Sequence, residues 1–159
     1  GTAAWELLTA HPDLDAIVAP VSGGGLLSGT LLAAQGKNPK IRVYGAEPLE
    51  ADDTIRSLEA GRIVPNLSVD TIADGLRAQI GPLTFPIIQQ HVTKVLPITE
   101  DEIIAAMRLL WERLKIIVEP SGAVPLAAVL KRPEIFCNQK TGLILSGGNT
   151  DLDSLPWSR

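Results

Sequence analysis

The sequence predicts an α/β protein, with an open, mainly parallel sheet flanked by helices. Short apolar runs of strand character alternate with stretches of helical composition, the alternation that builds parallel sheets. One strand-like run, a glycine loop, a helix-like run and a second strand-like run fall within about 30 residues, the length of a βαβ unit. A chain of 159 residues with 45% hydrophobic and 20% charged residues can also bury such a sheet in one ordinary core.

Each element has a local reason. Residues 3–10 (AAWELLTA) have helical composition and are stopped by His11-Pro12-Asp13. Residues 15–21 (DAIVAPV) read as a buried strand. Residues 26–35 (LLSGTLLAAQ) read as a helix with Gly36 as its C-terminal stop. Residues 41–46 (IRVYGA) are the second strand, joined by a right-handed crossover and parallel to the first. A helix is expected over 53–60, then a long Gly, Pro, Asn and Asp-rich loop over 61–83, and loops of that length are often functional. Residues 84–91 suit a helix and 92–98 a strand. Thr99 and Glu102 form a capping box for the helix EDEIIAAMRLLWERLK, whose basic end suits its dipole. Glu119-Pro120-Ser121-Gly122 is a turn, with Ser121 as cap of a helix over 122–130. Residues 142–146 (GLILS) are the last strand, followed by Gly147-Gly148-Asn149.

Composition excludes several classes. The net charge is −4 with scattered Lys and Arg, so no basic stripe awaits nucleic acid. A single cysteine, Cys137, forbids an internal disulfide and points to a reducing, cytoplasmic compartment. No apolar run nears the roughly 20 residues of a membrane helix, and no signal peptide is visible. The chain opens on Gly1-Thr2 without a methionine, so residues upstream are expected. His11 and His91 lack partners at zinc spacing, Cys137 lacks a base, and Trp5, Trp111 and Trp157 read as packing residues.

The sharpest local signal is VAPVSGGGLLSGT at 18–30. In open α/β sheets ligands bind beyond the C-terminal ends of the strands. Glycines at a helix N-terminus let backbone N–H groups close on an anion. A ligand-free strand-to-helix turn explains a glycine triplet alone equally well. A P-loop is excluded because no Lys follows, and the dinucleotide fingerprint fits poorly because Ser28 stands at its last position. A small phosphate monoester such as pyridoxal phosphate remains.

SGGGL at 22–26, AEPLEADD at 46–53, ADGLR at 73–77, VEPSGA at 118–123 and LSGGN at 145–149 occur in this order. The chain thereby resembles, over nearly its whole length, the C-terminal half of the serine racemase and serine/threonine dehydratase family of fold-type II pyridoxal-phosphate enzymes. The resemblance implies that Ser22, Gly23, Gly24, Gly25 and Leu26 hold the cofactor phosphate, largely by backbone N–H groups. It implies that Ser146 hydrogen-bonds the pyridine nitrogen, that Gly75 passes near the ring and that Glu119 faces it. Read alone, Ser146 would only cap the Gly147-Gly148 turn. The resemblance also assigns Glu47, the Ala51 carbonyl and Asp53 to a divalent cation, Mg²⁺, Ca²⁺ or Mn²⁺. Without it, Glu47 and Asp53 read as a solvated acidic turn. Lys115 and Asn149 match positions linked to ATP activation, while Asp74 holds its own loop.

The Schiff-base lysine of such enzymes is expected upstream, since Lys37, Lys40, Lys94, Lys115, Lys131 and Lys140 do not sit in the family's lysine motif. The chain is therefore read as the C-terminal part of the large, cofactor-binding domain. The N-terminal half and small domain lie outside it, and the chain alone is expected to be inactive and to expose an apolar sheet edge. The whole enzyme would be a homodimer acting on an amino acid, racemising serine and dehydrating it. The alternatives are a threonine/serine or 3-hydroxyaspartate dehydratase, and a non-catalytic phosphate-ligand module.

Overall fold

The computed structural model describes residues 1–157. It contains a four-stranded, wholly parallel sheet in the order β3-β2-β1-β4, formed by β1 (Ala16–Pro20), β2 (Arg42–Pro48), β3 (Lys94–Ile98) and β4 (Thr141–Leu143). The helices are α1 (Thr2–Ala10), α2 (Gly25–Lys37), α3 (Asp53–Ala60), α4 (Phe85–His91), α5 (Glu100–Leu114), α6 (Pro120–Lys131) and α7 (Pro133–Phe136). Every residue of β1 is buried, which is why its sequence is a continuous apolar run and not an alternating one. Its residues divide between two clusters on opposite faces. Val18 joins Leu96, Ile103 and Met107 on one face, and Ile17 joins Leu27, Leu31 and Ile88 on the other.

The expected elements are present, with differences at their ends. Gly36 does not stop α2, which runs on to Lys37 and is capped at Asn38, whose N–H donates to the Ala34 carbonyl. Gly61 does stop α3, at φ 67°. Ser121 is not the cap of α6. Glu119 is the N-cap, Pro120 begins the helix, and Ser121 is buried in its first turn. The last strand ends at Leu143, so Ser146 stands beyond it and not within it. Trp5 is half exposed beneath the Lys37 ammonium, 3.9 Å from its ring centroid, and is not a core residue. Trp111 and Trp157 do pack edge to face at 5.5 Å. The capping box of α5 forms as expected: Glu102 N–H donates to Thr99 Oγ1 (3.4 Å), and Thr99 N–H donates to Glu102 Oε2 (2.8 Å). No helix among the described residues is long and apolar enough to cross a membrane.

Candidate functional site

A parallel sheet turns the C-terminal ends of its strands toward one edge, and the loops there make the site. The chain leaves β1 at Pro20 and enters α2 through Ser22–Gly24. Gly24 is the N-cap residue, at φ 88°, a left-handed conformation that glycine adopts without strain. A Cβ there would lie 2.5 Å from Thr84 Oγ1 and 2.6 Å from Ile80 Cδ1. At Gly25 the same test meets nothing within 4 Å. Gly24 is thus required by the fold, whereas Gly25 leaves open space in front of the first turn of α2, whose N–H groups have no intrahelical acceptor.

Pro20, Ser22, Gly23, Gly24, Gly25, Leu26, Gly75, Leu76, Ala78 and Ser146 line one cleft of about 340 Å³. Segments far apart in the chain therefore converge: the β1–α2 loop, the turn Asp74–Leu76 and the loop after β4. Ser22 is spoken for. Its Oγ accepts from Ala78 N–H (3.0 Å) and lies 3.1 Å from the Ala78 carbonyl, to which it can donate. It shapes the cleft wall, and the free donors are the backbone N–H groups beyond it. Gly75 N–H is shared between Asp74 Oδ1 (2.9 Å) and Ser121 Oγ (3.1 Å), so Asp74 does hold its own loop. A Cβ at Gly75 would come within 3.0 Å of Ser121 Oγ. Ser146 is exposed at the cleft.

Glu119 does not line the cleft. Its N–H donates to the Gly147 carbonyl at 3.1 Å, and a Cβ on Gly147 would collide with its carboxylate. Its place is against the glycine turn that follows Ser146. Lys115 and Asn149 do not share a cleft. Lys115 is the exposed, left-handed cap of α5, and Asn149 lines a separate cleft of about 510 Å³ with Asp74, Arg77 and Asp151.

Glu47, near the end of β2, and Asp53, at the start of α3, are buried and not solvated, although Leu49 and Glu50 between them are exposed. Glu47 is fully buried, its Oε1 accepting from Ile55 N–H (2.8 Å) and its Oε2 buried without a partner. Burial pushes its carboxyl up to about 8, with the Asp53 charge adding to the push against the hydrogen bond from Ile55 N–H. Asp53, also buried, accepts from Ile80 N–H at 2.7 Å, and burial raises its carboxyl too. Ala51, between them in sequence, is buried at the end of the turn Leu49–Ala51. An orphaned carboxylate oxygen beside a second buried carboxylate fits a hard divalent cation. Among the described residues no three His, Cys, Asp or Glu side chains cluster, so such an ion would lean on carbonyl and water oxygens as well.

The residues that sequence reasoning missed are Ala78, Ile80, Gly81 and Thr84. They meet the glycine loop and Asp53 across large sequence separations, where neither periodicity nor spacing carries a signal. The only pointer was the length of the 61–83 loop.

The family model for pyridoxal-phosphate dependent enzymes matches residues 1–147. The chain belongs to that family. Among its pyridoxal-phosphate relatives, serine racemase of Dictyostelium discoideum is 53% identical over 159 residues, covering 98% of this chain and 49% of that protein. The crystal structure of that racemase superimposes with a TM-score of 0.89, covering 95% of this chain and 49% of the other. The β-hydroxyaspartate dehydratase of Paracoccus denitrificans is 46% identical over 158 residues, covering 99% of this chain and 50% of that enzyme. The chain thus spans about half the length of these curated relatives.

Proposed function

We propose that this chain forms the cofactor cup of a pyridoxal-phosphate dependent serine racemase that also dehydrates serine to pyruvate and ammonia. The observation that carries the reading is the convergence of Ser22–Leu26, Gly75 and Ser146 on one cleft in a member of this family. The N–H groups at the start of α2 bind the phosphate, aided by the positive end of the helix dipole. Gly75 lines the cleft by its backbone, since a Cβ there would point at Ser121, and a flat ring can lie against that bare main chain. When bound, pyridoxal phosphate supplies an electron sink for charge that develops at the substrate α-carbon. The Ser146 hydroxyl would meet the pyridine nitrogen as a neutral partner, a far weaker acid than a carboxylic acid, and so would leave that nitrogen mostly unprotonated and the sink incomplete. Glu47, Asp53 and the Ala51 carbonyl hold Mg²⁺ or a similar cation.

None of the chain's lysines lines the cleft. We infer that the lysine joining the cofactor comes from a segment outside residues 1–157, as does the small domain. Exposed Leu114, Ile116 and Ile117 are apolar surface available to such a segment or to a second subunit of a homodimer. A role for Lys115 and Asn149 in ATP activation would need a second subunit or segment to bring them to one ligand. The free, exposed Cys137 fits a reducing compartment such as the cytoplasm.

The test is to supply the full-length protein with serine, threonine and 3-hydroxyaspartate, and to measure D-serine, pyruvate, 2-oxobutyrate and oxaloacetate. D-serine with pyruvate supports the reading. Oxaloacetate from hydroxyaspartate without D-serine supports a hydroxyaspartate dehydratase, which the 46% identity to the Paracoccus denitrificans enzyme favours as the second reading. A protein that binds the cofactor without any turnover is a phosphate-ligand module.

A further inference from the structure

The segment 78–84 leaves the cleft wall and returns beneath the glycine loop, bonded at both ends. Ala78 exchanges hydrogen bonds with the Ser22 hydroxyl. Ile80 N–H donates to Asp53 Oδ2 at 2.7 Å. Gly81 N–H donates to the Gly23 carbonyl at 3.1 Å, and the Thr84 hydroxyl donates to the same carbonyl at 2.7 Å. Thr84 also lies against Gly24, which has no room for a Cβ on that side.

We propose that Thr84 is a positioning residue for the phosphate cup. This rests on the reading of Ser22–Leu26 as that cup. A peptide unit is planar and trans, so its C=O and N–H point in opposite directions. Holding the Gly23 carbonyl toward Gly81 and Thr84, neither of which lines the cleft, turns the Gly24 N–H the other way. The unit is flanked by glycines, for which rotation to another backbone region carries little steric penalty. A rotated unit would present a carbonyl oxygen where an anion needs a donor. The Thr84 hydroxyl, with Gly81 N–H, removes that alternative before any ligand arrives. Asp53 holds the Ile80 end of the same strap, so Asp53 and the cup are hydrogen-bonded to one segment.

The experiment compares wild type, Thr84→Val and Thr84→Ser in the full-length protein. Valine keeps the shape and loses the donor, whereas serine keeps the donor. Dissociation constants for pyridoxal phosphate and for inorganic phosphate are measured on the apoprotein, together with its melting temperature. The expected result is about five- to tenfold weaker binding of both ligands by Thr84→Val, the order of one lost hydrogen bond. Thr84→Ser should bind as wild type, and affinity should not track melting temperature across the three proteins. Unchanged affinity in Thr84→Val, or equal losses in the valine and serine variants, overturns the positioning role. So does a loss of affinity that only follows a fall in melting temperature. Wild type that binds neither ligand overturns the cup itself, and the role of Thr84 falls with it.

Discussion

At the scale of single residues, neighbouring glycines do different work, and the difference is measurable. Gly24→Ala puts a methyl group at φ 88° and against Thr84 and Ile80, so it should destabilise the protein by at least about 1 kcal/mol. Gly25→Ala places its methyl in open space at the first position of α2, where alanine suits a helix, so the melting temperature should hold or rise. Yet that methyl stands before the N–H groups, so cofactor affinity should fall about tenfold or more. Thermal unfolding paired with a cofactor titration separates the two outcomes. Glu47 makes a second residue-scale case. Burial already favours its neutral form when no cation is bound, so Glu47→Gln should leave metal-free stability within about 1 kcal/mol of wild type. If the proposed cation site is correct, Mg²⁺ should raise the melting temperature of wild type but not of the variant, and an equal rise in both would move the cation elsewhere. Ser146 is exposed, so Ser146→Ala should change stability by less than about 0.5 kcal/mol while lowering turnover with the cofactor still bound.

At the scale of elements, α5 shows a local code that the sequence states outright. Burial pushes the Glu102 carboxyl up, but the Thr99 N–H and the Lys131 ammonium, 2.9 Å away, outweigh it and hold the group below its ordinary value of 4.5. A lowered carboxyl stabilises the fold above 4.5, and that contribution drains away as pH falls through its depressed native value. Glu102 is partly exposed, so the loss should be at most about 1 kcal/mol, and acid unfolding of Glu102→Gln should lack it. Elements like this, and the βαβ unit around the glycine loop, were legible because their signals lie within a turn or two of chain. Helix ends were less so: Gly36 reads as a stop, but α2 needs only one more residue to reach a non-glycine cap at Asn38. The end of β4 was misread because the apolar run continues through Ile144 and Leu145, while its residue pairing to β1 stops at Leu143. The strap at 78–84 was invisible, since its partners lie 27 to 61 residues away in the chain.

At the scale of the whole molecule, a cleft without a lysine sets a limit on what residues 1–157 can do. Borohydride reduction of the full-length holoprotein, followed by peptide mapping, should place one equivalent of cofactor on a lysine outside residues 1–157. A stoichiometric label on a lysine within residues 1–157 would mean that this lysine reaches the cleft after all. The sheet order β3-β2-β1-β4 leaves β3 and β4 as edges, and β4 is only a three-residue strand, so a partnering segment has an edge to extend. The measurement that bears most directly on the whole account is a crystal structure of the full-length protein with pyridoxal phosphate. The phosphate should accept hydrogen bonds from backbone N–H groups between Gly23 and Leu26, with the ring beside Gly75 and its nitrogen at the Ser146 hydroxyl. A cofactor seated away from the 22–26 loop, or one whose nitrogen meets a carboxylate and not Ser146, would contradict it.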